Sequence, residues 1–312
     1  MKQAEEQAGR QHTVMTQERN RSASVQATLM HISDLHASRY FQHHIAEQLA
    51  QQAHALQPDL LVISGDFVQR ADFPEQWHAI TAYLKTLPQP QLVVPGNHDV
   101  PLFQMFDRLM APLKLYRRYI SDNLNPTFRL PGLLVVGGCT AHGLTISGGY
   151  LSAEQLATME QTFQQAPPGT CKVAVMHHQV IEPPGAHGDI RIANDRNVVR
   201  MFERCSVDLM LCGHVHVPHV GNTRGLFPDI RRGTIVCQSG TSTSSRLRGG
   251  RSPNSFQLIQ IHLHAIEIMT YGYRTTTARF EPVQEYILPR VETPIDPVAD
   301  LYDQPGQSVN MQ

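Results

Sequence analysis

Five apolar runs in this chain end in Asp, Asn or His, and that pattern limits the fold more than any other feature. They close on Ile32-Ser33-Asp34-Leu35-His36, Val62-Ile63-Ser64-Gly65-Asp66, Val93-Val94-Pro95-Gly96-Asn97-His98-Asp99, Val175-Met176-His177-His178 and Leu211-Cys212-Gly213-His214-Val215-His216. Short apolar runs broken by Gly, Pro or Ser read as buried strands. In open α/β sheets, ligands collect where the C-terminal ends of strands give way to loops. Five such ends carrying hard and borderline metal donors imply one shared site and therefore an enzyme.

The rest of the pattern agrees with a layered α/β fold. Strands are expected over 27–33, 59–65, 91–94, 133–139, 172–176 and 208–212, with helical periodicity over 41–56 and 74–87 and helical segments through Tyr119. Ser152 opens a further helix with Glu154 in its first turn, and Asn194 or Asp195 caps one running through Arg204. From Thr234 onward strands follow one another without helices (234–239, 256–263 and 265–273), the last two close enough for a hairpin. Two packed mixed sheets with helices outside, a four-layer αββα sandwich with its site at strand C-termini, is the expected architecture. One domain is expected over 27–285. Residues 1–26, rich in Gln, Glu, Arg and Ser, read as a disordered leader, and 286–312 as a flexible tail.

Composition excludes several classes. The 312 residues are 41% hydrophobic and 17% charged, ordinary for a globular protein. A net charge of −1 gives no broad basic surface for extended nucleic acid, so a small substrate is the expected partner. No run approaches the length of a membrane span, and the N-terminal segment lacks the apolar core of a signal peptide. Cys139, Cys171, Cys205, Cys212 and Cys237 make an odd number without a C-x-x-C pair, so reduced, buried thiols and a cytoplasmic home are expected.

The ligand types select the chemistry. Asp34 and His36, and likewise His214 and His216, stand two apart, which puts both side chains of a pair on one side of extended backbone. Asp66, Asn97, His98 and His177 complete the set. Mixed carboxylate, amide and imidazole donors suit Mn, Fe or Zn, and the count fits two ions better than one. Two divalent or trivalent ions about 3.5–4 Å apart would hold the attacking and leaving oxygens of a displacement at phosphorus, bridged by a central carboxylate, and would lower the pKa of a shared water.

The ordered set Asp-x-His, Gly-Asp, Gly-Asn-His-Asp, strand-end His and Gly-His-x-His, spanning Leu29 to His216, resembles the calcineurin-like metallophosphoesterases. The resemblance implies a two-sheet sandwich and a dinuclear centre that hydrolyses phosphate esters. By position, Asp34, His36 and His216 would bind one ion and Asn97, His177 and His214 the other, with Asp66 bridging. His98 matches the family's non-ligand histidine, which stabilises the transition state or protonates the leaving alkoxide. Asp99 would orient His98 through its other ring nitrogen. His177 is preferred to His178 because it comes first after the apolar run.

Size and the Gly-His-x-His ending resemble the bacterial branch with cyclic-nucleotide and glycerophosphodiester phosphodiesterases, so a phosphodiesterase acting on a small ester is expected. Lipid-precursor pyrophosphohydrolases of the family generally carry Arg where His98 stands. The family's repair nucleases bring a further capping domain and DNA-binding surface that this chain lacks the length and basic excess for, and a phosphomonoesterase of the family stays an alternative. An inactive scaffold usually lacks ligands that are all filled here. Several other residues have two readings. His142 faces the site or the surface. His187 and the cluster Arg246, Arg248 and Arg251 reach substrate or lie in solvated loops, and solvated loops are favoured.

Overall fold

The apolar runs become the parallel centres of two sheets. The structure is a computed structural model and describes residues 25–184, 191–247 and 252–290. His187, Arg248, Arg251 and most of the expected leader and tail lie outside the described residues. In chain order the first strands are β1 (Val25–Ile32), β2 (Leu60–Ile63), β3 (Gln91–Val93), β4 (Thr127–Leu130), β5 (Leu133–Gly137) and β6 (Cys171–Val175). Then come β7 (Leu209–His216), β8 (His219–Asn222), β9 (Ile235–Gly240), β10 (Ser255–His262), β11 (Ala265–Arg274) and β12 (Arg279–Pro289). The helices are α1 (His43–Leu56), α2 (Pro74–Leu84), α3 (Met105–Met110), α4 (Lys114–Tyr119), α5 (Ala153–Gln164) and α6 (Asp195–Cys205).

One sheet runs β12-β11-β10-β1-β2-β3 and the other β4-β5-β6-β7-β9-β8. Parallel pairs β1–β2, β2–β3, β5–β6, β6–β7 and β7–β9 form their middles. Strands buried on both faces read as continuous apolar runs, which is why Leu60-Leu61-Val62-Ile63 has no exposed member. Leu29, Leu60, Val62, Val173, Leu211 and Ile268 pack between the sheets. Outside the first sheet, Leu49 of α1, Trp77 and Ile80 of α2 and Tyr116 of α4 form a second apolar layer. Outside the other, Met159 and Phe163 of α5 pack with Val198 and Phe202 of α6. The result is the four-layer αββα sandwich.

Local signals explain the helix ends. Ser152 accepts from Gln155 N at 3.1 Å while Gln155 Oε1 accepts from Ser152 N at 2.9 Å, a reciprocal cap on α5. Asn194 stands at the N-cap of α6 but caps nothing, because its amide spans the Leu151 backbone instead. Helix α2 stops at Leu84, short of the expected Leu87.

Three strands fall outside the sequence expectations: β4, β8 and β12. Strands β4 and β12 are sheet edges with a polar outer face, so their alternation is weak. Pro282 in β12 also lowers its strand signal, and the register shift opposite Thr270/Tyr271 accommodates it. Since β12 pairs with β11 out to Pro289, the folded unit runs past the expected boundary at 285.

Candidate metal centre

Strand ends from both sheets meet at one rim of the sandwich. Asp34 and His36 follow β1, Asp66 follows β2, and Asn97 to Asp99 form a short 3₁₀ turn after β3. His177 and His178 follow β6, while His214 and His216 close β7. Asp34, His36, Asp66, His214 and His216 all have left-handed backbone, with φ of 55°, 49°, 56°, 73° and 61°. Each such residue costs about 1–2 kcal/mol without a glycine. Strain of this kind persists only where surroundings over-determine it, and it gathers at functional sites. Gly65, with φ 97°, leaves the room that a side chain would take from His177 Nδ1, 2.6 Å from an added Cβ.

The first donor set is Asp34, His36, Asp66 and His216. The His216 Nδ1–H donates to the Arg246 carbonyl at 2.6 Å, so its Nε2 carries a lone pair. That lone pair faces Asp34 Oδ1 at 3.1 Å and His36 Nε2 at 3.0 Å. Asp66 Oδ2 is 3.7 Å from the same His36 nitrogen. Asp34 Oδ1 is buried without a hydrogen-bond donor. A buried carboxylate oxygen without a donor, facing two imidazole nitrogens and beside a second carboxylate, is a lining that a cation completes, so these residues fit a metal ion.

A second set lies on the other side of Asp66. The His177 Nδ1–H donates to the Ser64 carbonyl at 2.7 Å, which turns its Nε2 inward. There it meets Asn97 Oδ1 at 3.2 Å, His214 Nδ1 at 3.2 Å and Asp66 Oδ1 at 3.4 Å. The Asn97 amide is oriented by donating to the Ile146 carbonyl at 3.1 Å. Asp66 thus offers one oxygen to each set.

Both groups, Asp34-His36-Asp66-His216 and His177-His178-His214, bring ligand atoms within 4.8 Å of one another and are able to hold a metal ion. His178 stands behind its neighbours. Its Nδ1 is engaged by the Thr140 hydroxyl at 2.7 Å, and its ring packs 4.6 Å from that of His214.

The electrostatics follow from burial and crowding. Burial alone would raise Asp34 and Asp66. The imidazoles around them, His216 for the first and His177 for the second, outweigh it and hold both carboxyls below their usual range. Burial would lower His177, but Asp66 and Asp34 overcome it and raise the imidazole to about 9. A bound cation would take the place of that proton.

The structure corrects the role expected of Asp99. Its carboxylate accepts from four backbone N–H groups: Gly96 at 2.8 Å, Phe67 at 2.9 Å, Asp66 at 3.1 Å and Val68 at 3.2 Å. It does not touch the His98 ring. Burial and the Asp66 charge push its pKa up to about 8. Two donors on each oxygen nonetheless leave no lone pair for a proton, so the geometry is that of the anion. Asp99 ties the β2 and β3 loops together and sets the height of Asp66.

His98 is oriented instead at Nδ1, which lies 2.8 Å from the Gln69 carbonyl and 2.9 Å from Arg70 Nη1. Its Nε2 faces the cleft, 4.0 Å from Asp66 Oδ2 and 3.3 Å from Arg246 Nη1. Burial lowers its pKa, and the Arg246 and Arg70 guanidinium groups add to that while Asp66 opposes it. Asn97, His98, Arg70 and Ile146 line a cavity of about 210 Å³.

Several contributors lie beyond the sequence reading. Arg246 belongs to the site rather than to a solvated loop: its carbonyl fixes His216, and its guanidinium donates to Gln69 Oε1 at 2.9 Å. Thr241 and Thr243 donate to the carbonyls of Asp34 and Leu35 at 2.6 Å and 3.0 Å, pinning the first ligand loop. The hydroxyl run Thr241-Ser242-Thr243-Ser244 directly after β9 was the available signal. His142 lies apart from both donor sets, half-buried, with its ring edge-on to Tyr150 at 6.3 Å.

The family model for calcineurin-like phosphoesterases matches residues 27–218, every strand end described above. The chain belongs to that family. Among curated proteins, the glycerophosphodiester phosphodiesterase GpdQ of Enterobacter lignolyticus is 29% identical over 167 residues. That match covers 51% of this calcineurin-like phosphoesterase and 56% of GpdQ, so the chain spans just over half the length of the relative it matches. Yellow lupin purple acid phosphatase PPD1 superposes with a TM-score of 0.65 at 11% identity, over 85% of this chain and 54% of that one. GAP50, the anchor in the inner membrane complex of Plasmodium, superposes at 0.56 with 13% identity, over 86% and 90%. At such identities the two structures share the fold alone. Among the described residues, no helix of this phosphoesterase is long and apolar enough to cross a membrane.

Proposed function

We propose that the chain is a phosphodiesterase that hydrolyses a small phosphate ester at a dinuclear centre of Mn, Fe or Zn. The supporting observation is the position of Asp66, one oxygen turned to each of two lone-pair-rich donor sets. Asp34, His36 and His216 would hold one ion and Asn97, His177 and His214 the other, with Asp66 shared. Such a pair supplies Lewis acidity that makes water a better nucleophile near neutral pH and offsets charge on the phosphoryl oxygens.

The chain's own groups do the rest. With Nδ1 held beside the Gln69 carbonyl and Arg70 Nη1, His98 presents Nε2 to the cleft. A phosphoryl oxygen arriving there offsets the Arg246 and Arg70 charges, raises the proton affinity of the ring, and lets Nε2–H donate to the departing alkoxide. Arg246, 3.3 Å from that nitrogen, is placed to bind a non-bridging phosphoryl oxygen. Glycerophosphodiesters and cyclic nucleotides are the two substrate classes to test, the first supported by the likeness to GpdQ. The net charge of −1 supports a small substrate over extended nucleic acid. Five free, buried cysteines support a reducing, cytoplasmic setting.

The test is hydrolysis of bis-p-nitrophenyl phosphate with and without Mn²⁺, followed by a screen of glycerophosphodiesters, cyclic nucleotides and monoesters. Metal-dependent turnover that disappears in Asp66→Ala is expected. Turnover without metal, or unchanged in Asp66→Ala, would sink the proposal.

A further inference from the structure

A second polar cavity lies at the opposite ends of the same strands. Its volume is about 410 Å³, and Thr170, Lys172, Ser206, Asp208, Arg232 and Arg290 are among the residues that line it. Lys172 and His177 are five residues apart along β6 and its extension, so about 16 Å separates this cavity from the metal ligands.

Its charges do not balance. Three cations line it against one carboxylate. Asp208 Oδ1 accepts from Arg232 Nη2 at 2.8 Å and lies 3.6 Å from Arg290 Nε. Among the described residues Lys172 Nζ donates to the Cys205 carbonyl at 2.8 Å, and Arg290 donates to the Leu263 and Gly169 carbonyls at 2.9 and 3.0 Å. Arg232 is 5% exposed, yet among the described residues its Nε and Nη1 find no hydrogen-bond partner. A buried guanidinium with two idle donors is costly unless something completes it. Burial accordingly lowers the pKa of both Arg232 and Lys172.

The geometry points to a binding site for a small oxyanion of the phosphate type in this cavity, with Arg232 at its base and Lys172 and Arg290 at its sides. Thr170 and Ser206 add hydroxyl donors at the wall. A tetrahedral dianion matches the excess of about two positive charges that Lys172, Arg232 and Arg290 leave over Asp208. The ligand is inorganic phosphate or the phosphate group of a small metabolite.

Calorimetric titration of the Mn²⁺-loaded protein with inorganic phosphate tests this, with glycerol phosphate as the second arm. Asp66→Ala removes the metal-centre contribution, so binding that survives in it reports the remote cavity. Adding Arg232→Met is expected to weaken that binding about ten-fold or more, the loss of one charge-assisted contact. Arg232→Met alone should keep diesterase turnover near the wild-type rate. If Arg232→Met does not fold, Lys172→Met, at the half-buried side, should weaken phosphate in its place. Inorganic phosphate binding without glycerol phosphate binding assigns the site to the free ion, and equal binding assigns it to the phosphate group. Absence of phosphate binding in Asp66→Ala, or binding unmoved by both cavity variants, overturns the assignment.

Discussion

Asp99→Asn separates two roles for one carboxylate. In the structure both oxygens of Asp99 accept two backbone N–H groups each, from Gly96 and Asp66 on one side and Phe67 and Val68 on the other. Asparagine keeps one acceptor oxygen and presents an NH₂ to the other pair, so two N–H donors lose their partner and face a donor. Bonds to a charged acceptor contribute about 1.5–3 kcal/mol each, which puts the loss at roughly 3–6 kcal/mol. For a chain of this size each kcal/mol moves Tm by roughly 2–4 °C, so a fall of about 6–24 °C is expected. Because Asp66 hangs from the same bonds, Mn²⁺ affinity should fall with it. Thermal melts and Mn²⁺ titrations of wild type and variant supply both readings. Had Asp99 served to orient His98, the variant would melt within about 2 °C of wild type and bind Mn²⁺ normally, with only the pH profile of turnover changed. That outcome would refute the anchoring role.

Other perturbations follow from single contacts. His98→Asn should slow diesters with alkoxide leaving groups far more than bis-p-nitrophenyl phosphate, whose leaving group needs little protonation; equal losses on both would remove His98 as the proton donor. Gly213→Ala would put a Cβ into the Ser33 hydroxyl and 2.5 Å from Asp34 Oδ2, so Mn²⁺ binding should weaken and Tm should fall by about 2–12 °C, at an overpacking cost of about 1–3 kcal/mol; a variant with wild-type Mn²⁺ affinity would contradict the crowding. His31, buried and bonded to Ser64 Oγ at 2.8 Å, has its pKa lowered by burial from 6.5 to about 3. The unfolded chain therefore binds the extra proton first, and stability is lost as pH falls below about 6.5. Urea unfolding from about pH 7.5 to about pH 5 should cost wild type about 2 kcal/mol more than His31→Gln; parallel losses would show that His31 takes no part.

Much of the site was legible because strand ends carry it. Each donor follows an apolar run, but the positive φ of Asp34, His36, His214 and His216 departs from the extended backbone that the spacing of each pair suggested. The order of the motifs also pointed to the family and the layered fold. What local sequence cannot show is who holds the ligands in place. Asp99 sits beside His98 in sequence, yet its four partners come from backbone folded around it, so adjacency suggested the wrong contact. Arg246 and Thr241 lie some 200 residues from the Asp34 loop they support, joined to it only by the packing of β9 and β10 against β1. Edge strands failed for another reason. With one face in water and Pro282 in its midst, β12 carries almost none of the alternation that marks a strand.

The most direct test is the placement of metal around Asp66. Crystals of the protein loaded with Mn²⁺ should show two anomalous peaks, one beside Oδ2 within reach of Asp34, His36 and His216, the other beside Oδ1 within reach of Asn97, His177 and His214. A single peak, or a second one lodged against His178 and away from Asp66, would contradict the shared-carboxylate centre.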